Sequence, residues 1–438
     1  MTKIIHVNKK ILNLAIPNII SNITVPLLGM VDLAIVGHLG NETYIAAIAL
    51  GGMIFNFIYW NFSFLRMSTS GFTAQAYGAE NNRRIMQILV RGITIAIVAA
   101  LLLLLLQRPI AWFSRSIIDS GTETMNLALD YFFIRIWAVP ATLMLYVTNG
   151  WFIGMQNAKT PMYVALLSNV VNILFSSLFA LVLNMGIQGV ALGTVVAQYC
   201  GLLLSIILFL KDYRPLLAAV EIRQSLVIHE MKNFFKVNVD IFLRNICVIA
   251  VFTFIPYISA SMGDRILAVN TLLLQLFMLF SYIMDGFAYA GEASTGRFIG
   301  AKNNQSLQKA IKYLLIWGAI LAFSFTAIFF ATGDKILYIL TDNASIIKDT
   351  MKYIHWTILI PIAGFAAFLF DGIYIGATAS KAMRNIVVIS TILFFVIYYL
   401  FETKLGNNSL WIALLLFLTL RSILMWSLNQ KVLGLRKN

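Results

Sequence analysis

The stretch GAENN at residues 78–82 decides the fold, because it returns 222 residues later as GAKNN at residues 300–304. At the same offset GWFIG at residues 150–154 returns as GIYIG at residues 372–376. The chain therefore contains two copies of one structural plan. Duplication of this kind in an apolar chain is typical of secondary transporters, in which substrate binds where the two repeats meet.

The composition places the chain in a membrane. Hydrophobic residues make up 60% of the 438 residues and charged residues only 11%, and the mean hydropathy is +0.85. A soluble domain of this size needs more polar side chains to cover its surface. Because a segment in lipid must satisfy its own backbone hydrogen bonds, the long apolar runs predict helices and an all-α fold class.

Twelve apolar runs predict twelve transmembrane helices, six in each repeat. They fall at residues 11–38, 44–66, 85–107, 126–150, 161–183, 187–210, 233–259, 266–290, 308–331, 350–373, 385–401 and 408–428. The repeats predict three segments, which are an N-terminal lobe at 1–210, a polar cytoplasmic linker at 211–232 and a C-terminal lobe at 233–438.

The net charge of +14 is distributed unevenly between the loops. About 20 Lys and Arg lie in the two tails and the loops on their side, against about 7 in the opposite loops, which also carry acids such as Asp119. This asymmetry predicts that both termini lie in the cytoplasm. The basic excess indicates membrane lipid as a partner and gives no reason to expect nucleic acid.

Metal and cofactor chemistry finds no support in the sequence. Cys200 and Cys247 both lie in apolar segments, so neither a disulfide framework nor a zinc site is expected. His38, His229 and His355 lack the spacing of metal ligands. An intramembrane transferase would need His, Asp or Glu concentrated in one loop, and no such cluster is present in the sequence. We therefore expect no metal, no cofactor and no catalytic residue.

Asp32 is the strongest candidate for coupling transport to an ion. It lies in the first apolar run, six residues after Pro26. A charge at mid-bilayer costs roughly 2.5 to 3.5 kcal/mol on insertion scales, and burial favours the neutral, protonated carboxyl. Proline removes a backbone hydrogen bond and permits a kink, so proton binding could change the preferred bend of this helix. The alternative is a hydrogen-bonded Asp32 near the helix end.

Four polar residues in the first half form a candidate substrate site or hydrogen-bond network. Asn172 and Ser176 are four residues apart in the fifth run, and Thr194 and Gln198 are four apart in the sixth, so each pair shares a helix face. Such residues also join neighbouring helices in membranes. Spacing alone leaves both alternatives open.

The second half carries its own ionisable residues within apolar runs. Asp285 and Glu292 are seven residues apart on one face, and Glu292 is a candidate for ion coupling, cargo binding or a gate-forming ion pair. Asp240 precedes Arg244 by one turn, which predicts an intrahelical ion pair. Asp371 ends the tenth run. For Asp240, Arg244, Asp285 and Asp371 we expect a structural or gating role.

The sequence resembles the DinF branch of the multidrug and toxic compound extrusion (MATE) family. The resembling segments are spread over both halves, which makes the signal specific although each is short. They are SNITVPLLGMVD (21–32), VGHL (36–39), FLRMSTSG (64–71), AQAYG (74–78), DGFAY (285–289), EA (292–293), GR (296–297), DG (371–372), IGAT (375–378), LGN (405–407) and LW (410–411).

The resemblance implies two six-helix lobes in a V shape that work by alternating access. It implies export of organic, often cationic or amphipathic compounds in exchange for protons or sodium. It places ion coupling at Asp32, with the helix bending at Pro26 on protonation, and further site positions at Asn172 and Thr194. Some relatives carry a second acid where this chain has Ser176, which favours a lone protonatable Asp32 over a sodium site.

The leading hypothesis is a monomeric, proton-coupled antiporter of the bacterial inner membrane that exports small organic molecules. A Na+-coupled antiporter is one alternative. A lipid-linked oligosaccharide flippase of the same superfamily is the first alternative, although few Lys or Arg lie at mid-span to meet a pyrophosphate. An intramembrane enzyme and a passive channel are further alternatives.

Overall fold

A computed structural model describes residues 2–38, 42–118 and 121–434, so Leu39 and Asp119 lie outside the described residues. Within these ranges the chain is almost entirely helical and contains no strand, which confirms the all-α fold class. The α-helices are α1 (Thr2–Gly37), α2 (Glu42–Phe62), α3 (Phe64–Gly78), α4 (Asn82–Leu105), α5 (Gln107–Ile117), α6 (Thr122–Arg135), α7 (Val139–Gly154), α8 (Lys159–Ser177), α9 (Gly186–Tyr213), α10 (Ile222–Ser225), α11 (Ile228–Ser261), α12 (Asp264–Gly300), α13 (Asn304–Leu340), α14 (Ala344–Gly376), α15 (Ser380–Leu405) and α16 (Asn407–Val432).

Twelve helical segments in the described part of the chain are long and apolar enough to cross a membrane, as predicted. The second combines α2 and α3, which are separated at Ser63. The fourth combines α6 and α7 through a 3-10 segment, Ile136–Ala138. The short helix α5 is not one of the twelve, and it exposes Trp112 and Phe113, as expected of a helix lying at a membrane surface.

The repeated GAxNN stretch has the same local structure in both copies. The side-chain oxygen of Asn81 accepts a hydrogen bond from the backbone N–H of Arg84 at 2.9 Å, and Asn303 accepts from Ser306 at 2.9 Å. The residue before each asparagine has a φ of +53°. Asparagine therefore recurs here because it caps α4 in one repeat and α13 in the other.

A close helix contact also recurs at the repeat offset. Gly150 on α7 meets the backbone carbonyl of Arg66 on α3, and Gly372 on α14 meets the carbonyl of Ala288 on α12. In both places a Cβ would overlap that carbonyl oxygen. Glycine is required because the two backbones approach each other directly, so the sequence repeat is also a repeat of tertiary packing.

The chain divides into two compact units. The N-terminal unit runs from Ile20 to Phe235, and the C-terminal unit joins residues up to Ile19 with residues from Lys236 onward. The first nineteen residues thus group with the second half of the chain. The predicted lobes, at residues 1–210 and 233–438, do not include this grouping. The pairing of six helices per lobe stays a prediction.

The polar linker packs on α4 inside the N-terminal unit. The buried guanidinium of Arg91 donates through Nε to the carbonyl of Ser225 at 2.7 Å and through Nη1 to Glu230 at 3.2 Å. Arg83 also pairs with the carboxylate of Glu221. These contacts hold α10 and the start of α11 against α4.

Candidate ion-coupling and substrate sites

Asp32 lies on the part of α1 that belongs to the N-terminal unit. Its side chain is half-buried, and its Oδ1 atom is buried with no hydrogen-bond partner among the described residues. A carboxylate oxygen in this situation is costly when charged, because nothing replaces the water that it gave up. The Oδ1 atom thus makes no hydrogen bond of the kind that the alternative interpretation requires, and the coupling role of Asp32 stays a prediction.

The positive charge that acts on Asp32 comes from Arg135, the last residue of α6. Arg135 donates through Nη1 to the hydroxyl of Tyr131 at 2.6 Å. Its guanidinium also lies 4.7 Å from the ring centroid of Phe55 and 5.4 Å from that of Tyr131. Contacts of this type stabilise a cation by about 0.5 to 2 kcal/mol each. The chain's own arginine therefore occupies an aromatic cage and acts electrostatically on the candidate coupling residue.

Helix geometry explains how this aromatic cage is built. Phe55 and Tyr59 are one turn apart on α2 and stack at 5.6 Å, while Tyr131 lies one turn before Arg135 on α6. The α-helix gives way to the 3-10 segment directly after Arg135, so the arginine lies at a break in its span.

The structure brings two of the four polar candidates together. Asn172 on α8 donates through Nδ2 to the Thr194 hydroxyl on α9 at 3.0 Å, and both side chains are buried. The Ser176 hydroxyl donates to the carbonyl of Val190 at 3.4 Å, and Gln198 is half-buried. Within the described residues no hydrogen bond links these side chains to Asp32. They form a polar contact between α8 and α9, and whether they also bind substrate stays a prediction.

In the C-terminal unit the carboxylates of α12 occupy different environments. Glu292 is fully buried, whereas Asp285 is half-buried and interacts electrostatically with Arg421 of α16. Glu292 corresponds by the repeat offset to Ser70 in the N-terminal unit. The coupling and gating roles proposed for Glu292 both stay predictions.

The predicted intrahelical ion pair between Asp240 and Arg244 is wrong. Arg244 instead pairs with Asp371 on α14, which also accepts from Arg421 on α16 at 2.5 Å. Asp240 pairs with Arg384 on α15. Neighbouring helices supply partners that spacing along α11 does not reveal. The two pairs join α11 to α14 and α15, and Asp371 extends the contact from α14 to α16.

Sequence reasoning selected Asp32 but missed the aromatic cage around Arg135. Arg135 was visible as a charge in an apolar run, and its one-turn spacing from Tyr131 was also visible. The contribution of Phe55 was not, because it comes from a helix more than seventy residues away. No group of three His, Cys, Asp or Glu able to hold a metal ion occurs in the part of the chain that the structure describes.

The MatE family profile matches residues 17–178 and 241–400, one stretch in each half. The chain belongs to the MatE family. Within this family of transporters, it is 34% identical over 416 residues to DNA damage-inducible protein F of Escherichia coli K12, covering 95% of this chain and 90% of that protein. It is also 24% identical to multidrug and toxin extrusion protein 1 of Danio rerio, covering 77% of this chain and 57% of that protein.

Membership in the MatE family makes the protein a secondary transporter of the multidrug and toxin extrusion class, not an enzyme, and it confirms the resemblance found in the sequence. The fold is similar to that of a MOP superfamily transporter from Pyrococcus furiosus. The TM-score is 0.88 at 19% identity, covering 99% of this chain and 97% of that one. The MatE chain is therefore an all-α, multi-pass membrane protein.

Proposed function

We propose that this MatE protein is a proton-coupled antiporter that exports organic, cationic or amphipathic compounds by alternating access. We further propose that it acts in a bacterial inner membrane with both termini in the cytoplasm. The proposal rests on the charge distribution of the loops and on the environment of Asp32.

The buried Oδ1 atom of Asp32, which has no hydrogen-bond partner among the described residues, is the observation that carries the proposal. Adding a proton removes the negative charge, and the bound proton supplies a donor where the protein supplies none. The two protonation states of Asp32 therefore differ in how well they fit the same half-buried site. That difference is what an ion-coupling residue requires, since a ligand shifts a conformational equilibrium only through its differential affinity.

Arg135 is a cation of the protein itself that interacts with the Asp32 carboxylate. When Asp32 is ionised, the carboxylate attracts both Arg135 and a cationic cargo, whereas the protonated carboxyl attracts neither strongly. A proton and a cationic cargo thus compete for one carboxylate. The ring faces of Phe55 and Tyr131, which Arg135 occupies, also suit a cationic or amphipathic compound that replaces it.

The test is dye efflux from proteoliposomes, driven separately by a pH gradient and by a sodium gradient. We expect rhodamine 6G efflux under the pH gradient in the wild type and at least a ten-fold loss in Asp32→Asn. Glu292→Gln reports on the alternative coupling site. Asp349→Asn serves as the control, because Asp349 pairs with exposed Arg265 and Lys352 far along the chain from Asp32.

Each other outcome points to a different mechanism. Efflux that only sodium drives would contradict proton coupling, and full proton-driven efflux in Asp32→Asn would remove Asp32 from the mechanism. Absence of dye transport under both gradients would favour the flippase alternative, which fluorescent lipid-linked sugars in the same vesicles would test.

A further inference from the structure

The C-terminal unit contains a groove of about 670 Å³ on the surface of three helices, well separated in sequence from Asp32. It is lined by the first turns of α13, the middle of α14 and the last turns of α16. The lining residues are Gln308, Ile311, Lys312, Leu315, Ile316, Ala319, Phe365, Phe370, Trp426, Asn429 and Gln430. The groove is open on one side, since Ile316 and Trp426 are 41% and 61% exposed.

The groove changes from polar to apolar along its length. On α13 the polar Gln308 and Lys312 come first, and Ala319 follows Lys312 by about 10 Å of helix. On α16 the amides of Asn429 and Gln430 lie at the helix end, beyond Trp426. The polar ends of both helices therefore fall at the same end of the groove, and aromatic and aliphatic side chains line the rest.

Two residues mark this polar end as the membrane–water interface. Lys312 is the last charged residue of α13 before an uninterrupted uncharged run through Gly333. Trp426 packs edge-on against Phe370 at 6.0 Å while most of its surface stays exposed. Tryptophan and snorkelling lysine are the residues that settle at the headgroup level of a bilayer.

The Lys312 ammonium is the positive charge available to a ligand in this groove. It is exposed and has no acidic partner within 4 Å in the described part of the chain. Arg421 of α16 is buried and paired with Asp371, and it does not line the groove. The amides of Gln308 and Gln430 are exposed beside Lys312 and can donate hydrogen bonds to phosphate oxygens.

We propose that this groove binds an anionic phospholipid, with the phosphate at Lys312 and an acyl chain along Ile316, Ala319 and Phe365. A cationic amphipathic compound would share the apolar length but would be repelled by Lys312. A zwitterionic lipid lacks the net charge that Lys312 favours. Charge complementarity at the interface thus selects an anionic headgroup.

Fluorescence quenching in proteoliposomes tests the proposal, because Trp426 lines the groove. Dibrominated phosphatidylglycerol or dibrominated phosphatidylcholine is supplied in a background of unlabelled lipid. Quenching at the groove is obtained as the difference between the quenching of the wild type and that of Trp426→Phe. We expect phosphatidylglycerol to be preferred about five-fold over phosphatidylcholine at this tryptophan, as one cationic contact near a membrane surface provides.

Three variants sharpen the result. Lys312→Gln should abolish the preference, whereas Lys431→Gln should keep it, because Lys431 is an exposed lysine of the same helix end that does not line the groove. Ala319→Phe should fill the apolar part and weaken quenching by both lipids. Equal quenching by the two lipids in the wild type would overturn the proposal. Displacement of the lipid by rhodamine 6G would also overturn it and would identify the occupant as cargo.

Discussion

At the residue scale, the carboxylate of Asp371 pairs with two guanidinium groups that are almost completely buried. It lies between Arg244 and Arg421, whose side chains are only 11% and 5% exposed. Removing one partner of a buried pair is expensive, because the remaining charge keeps its desolvation cost and loses its compensation. Here a single substitution would leave two such charges.

We therefore expect Asp371→Asn to lower the free energy of unfolding by about 3 kcal/mol. Asp349 is the matched control, since its carboxylate is as shielded as that of Asp371 but its partners Arg265 and Lys352 are each 64% exposed. Asp349→Asn should leave the unfolding temperature close to that of the wild type, because water can solvate both partners. Thermal unfolding of the purified variants in detergent measures the difference. Equal effects of the two substitutions would mean that partner burial does not decide stability here.

Arg135 supports a prediction about ligand affinity. Arg135→Gln removes a resident cation from beside Asp32 and from the rings of Phe55 and Tyr131. An external cation should then bind more tightly, by about five-fold if one cation–π contact of ~1 kcal/mol becomes available. Arg135→Lys keeps the charge and should bind the dye as the wild type does. Fluorescence polarisation of rhodamine 6G with purified protein measures both, and weaker binding by Arg135→Gln would contradict competition.

The sequence alone identifies a candidate functional residue where placing its side chain in the membrane costs free energy. Asp32 stood out because a carboxylate in an apolar helix needs a reason to be there. The partners of Asp240 and Arg244 were not predictable, because they come from helices more than a hundred residues later. Local spacing offered a plausible neighbour four residues away, and tertiary contacts supplied better ones.

At the element scale, the contact between α3 and α7 depends on Gly150. A Cβ at this position would overlap the carbonyl of Arg66, whereas a Cβ at Gly52 on α2 has nothing within 4 Å. Alanine gains about 0.5 to 1 kcal/mol over glycine in a helix, and overpacking costs about 1 to 3 kcal/mol. We expect Gly150→Ala to destabilise the protein and Gly52→Ala to be neutral or slightly stabilising. Unfolding temperatures in detergent would decide, and a stable Gly150→Ala would show that α3 and α7 separate readily.

The number of spans followed from the sequence, but their internal breaks did not. Hydropathy is averaged over a whole span, so it does not register the interruption at Ser63 or the 3-10 segment after Arg135. The helix α5 was missed for the opposite reason, because its apolar residues form one face and not a continuous run.

At the scale of the whole molecule, the duplication is present in the amino-acid sequence and in the three-dimensional structure. The asparagine caps, the residues of positive φ that precede them and the glycine contacts all recur at an offset of 222 residues. The candidate coupling residue and its neighbouring cation do not follow this repeat, since Asp32 corresponds to Phe254 and Arg135 to Thr357. The features that both copies share thus determine helix ends and helix packing, whereas the candidate coupling residues occur in one copy and not in the other.

The grouping of the first nineteen residues with the second half affects how the gene can be cut. Asn8 accepts a hydrogen bond from Trp317 at 2.8 Å, and Gly286 leaves room for Ile19. A break in the linker would place this segment on a different polypeptide from the helices that it packs against. Two co-expressed fragments would then reassemble only if the first fragment packed its N-terminal segment against the helices of the second, as in fragment complementation.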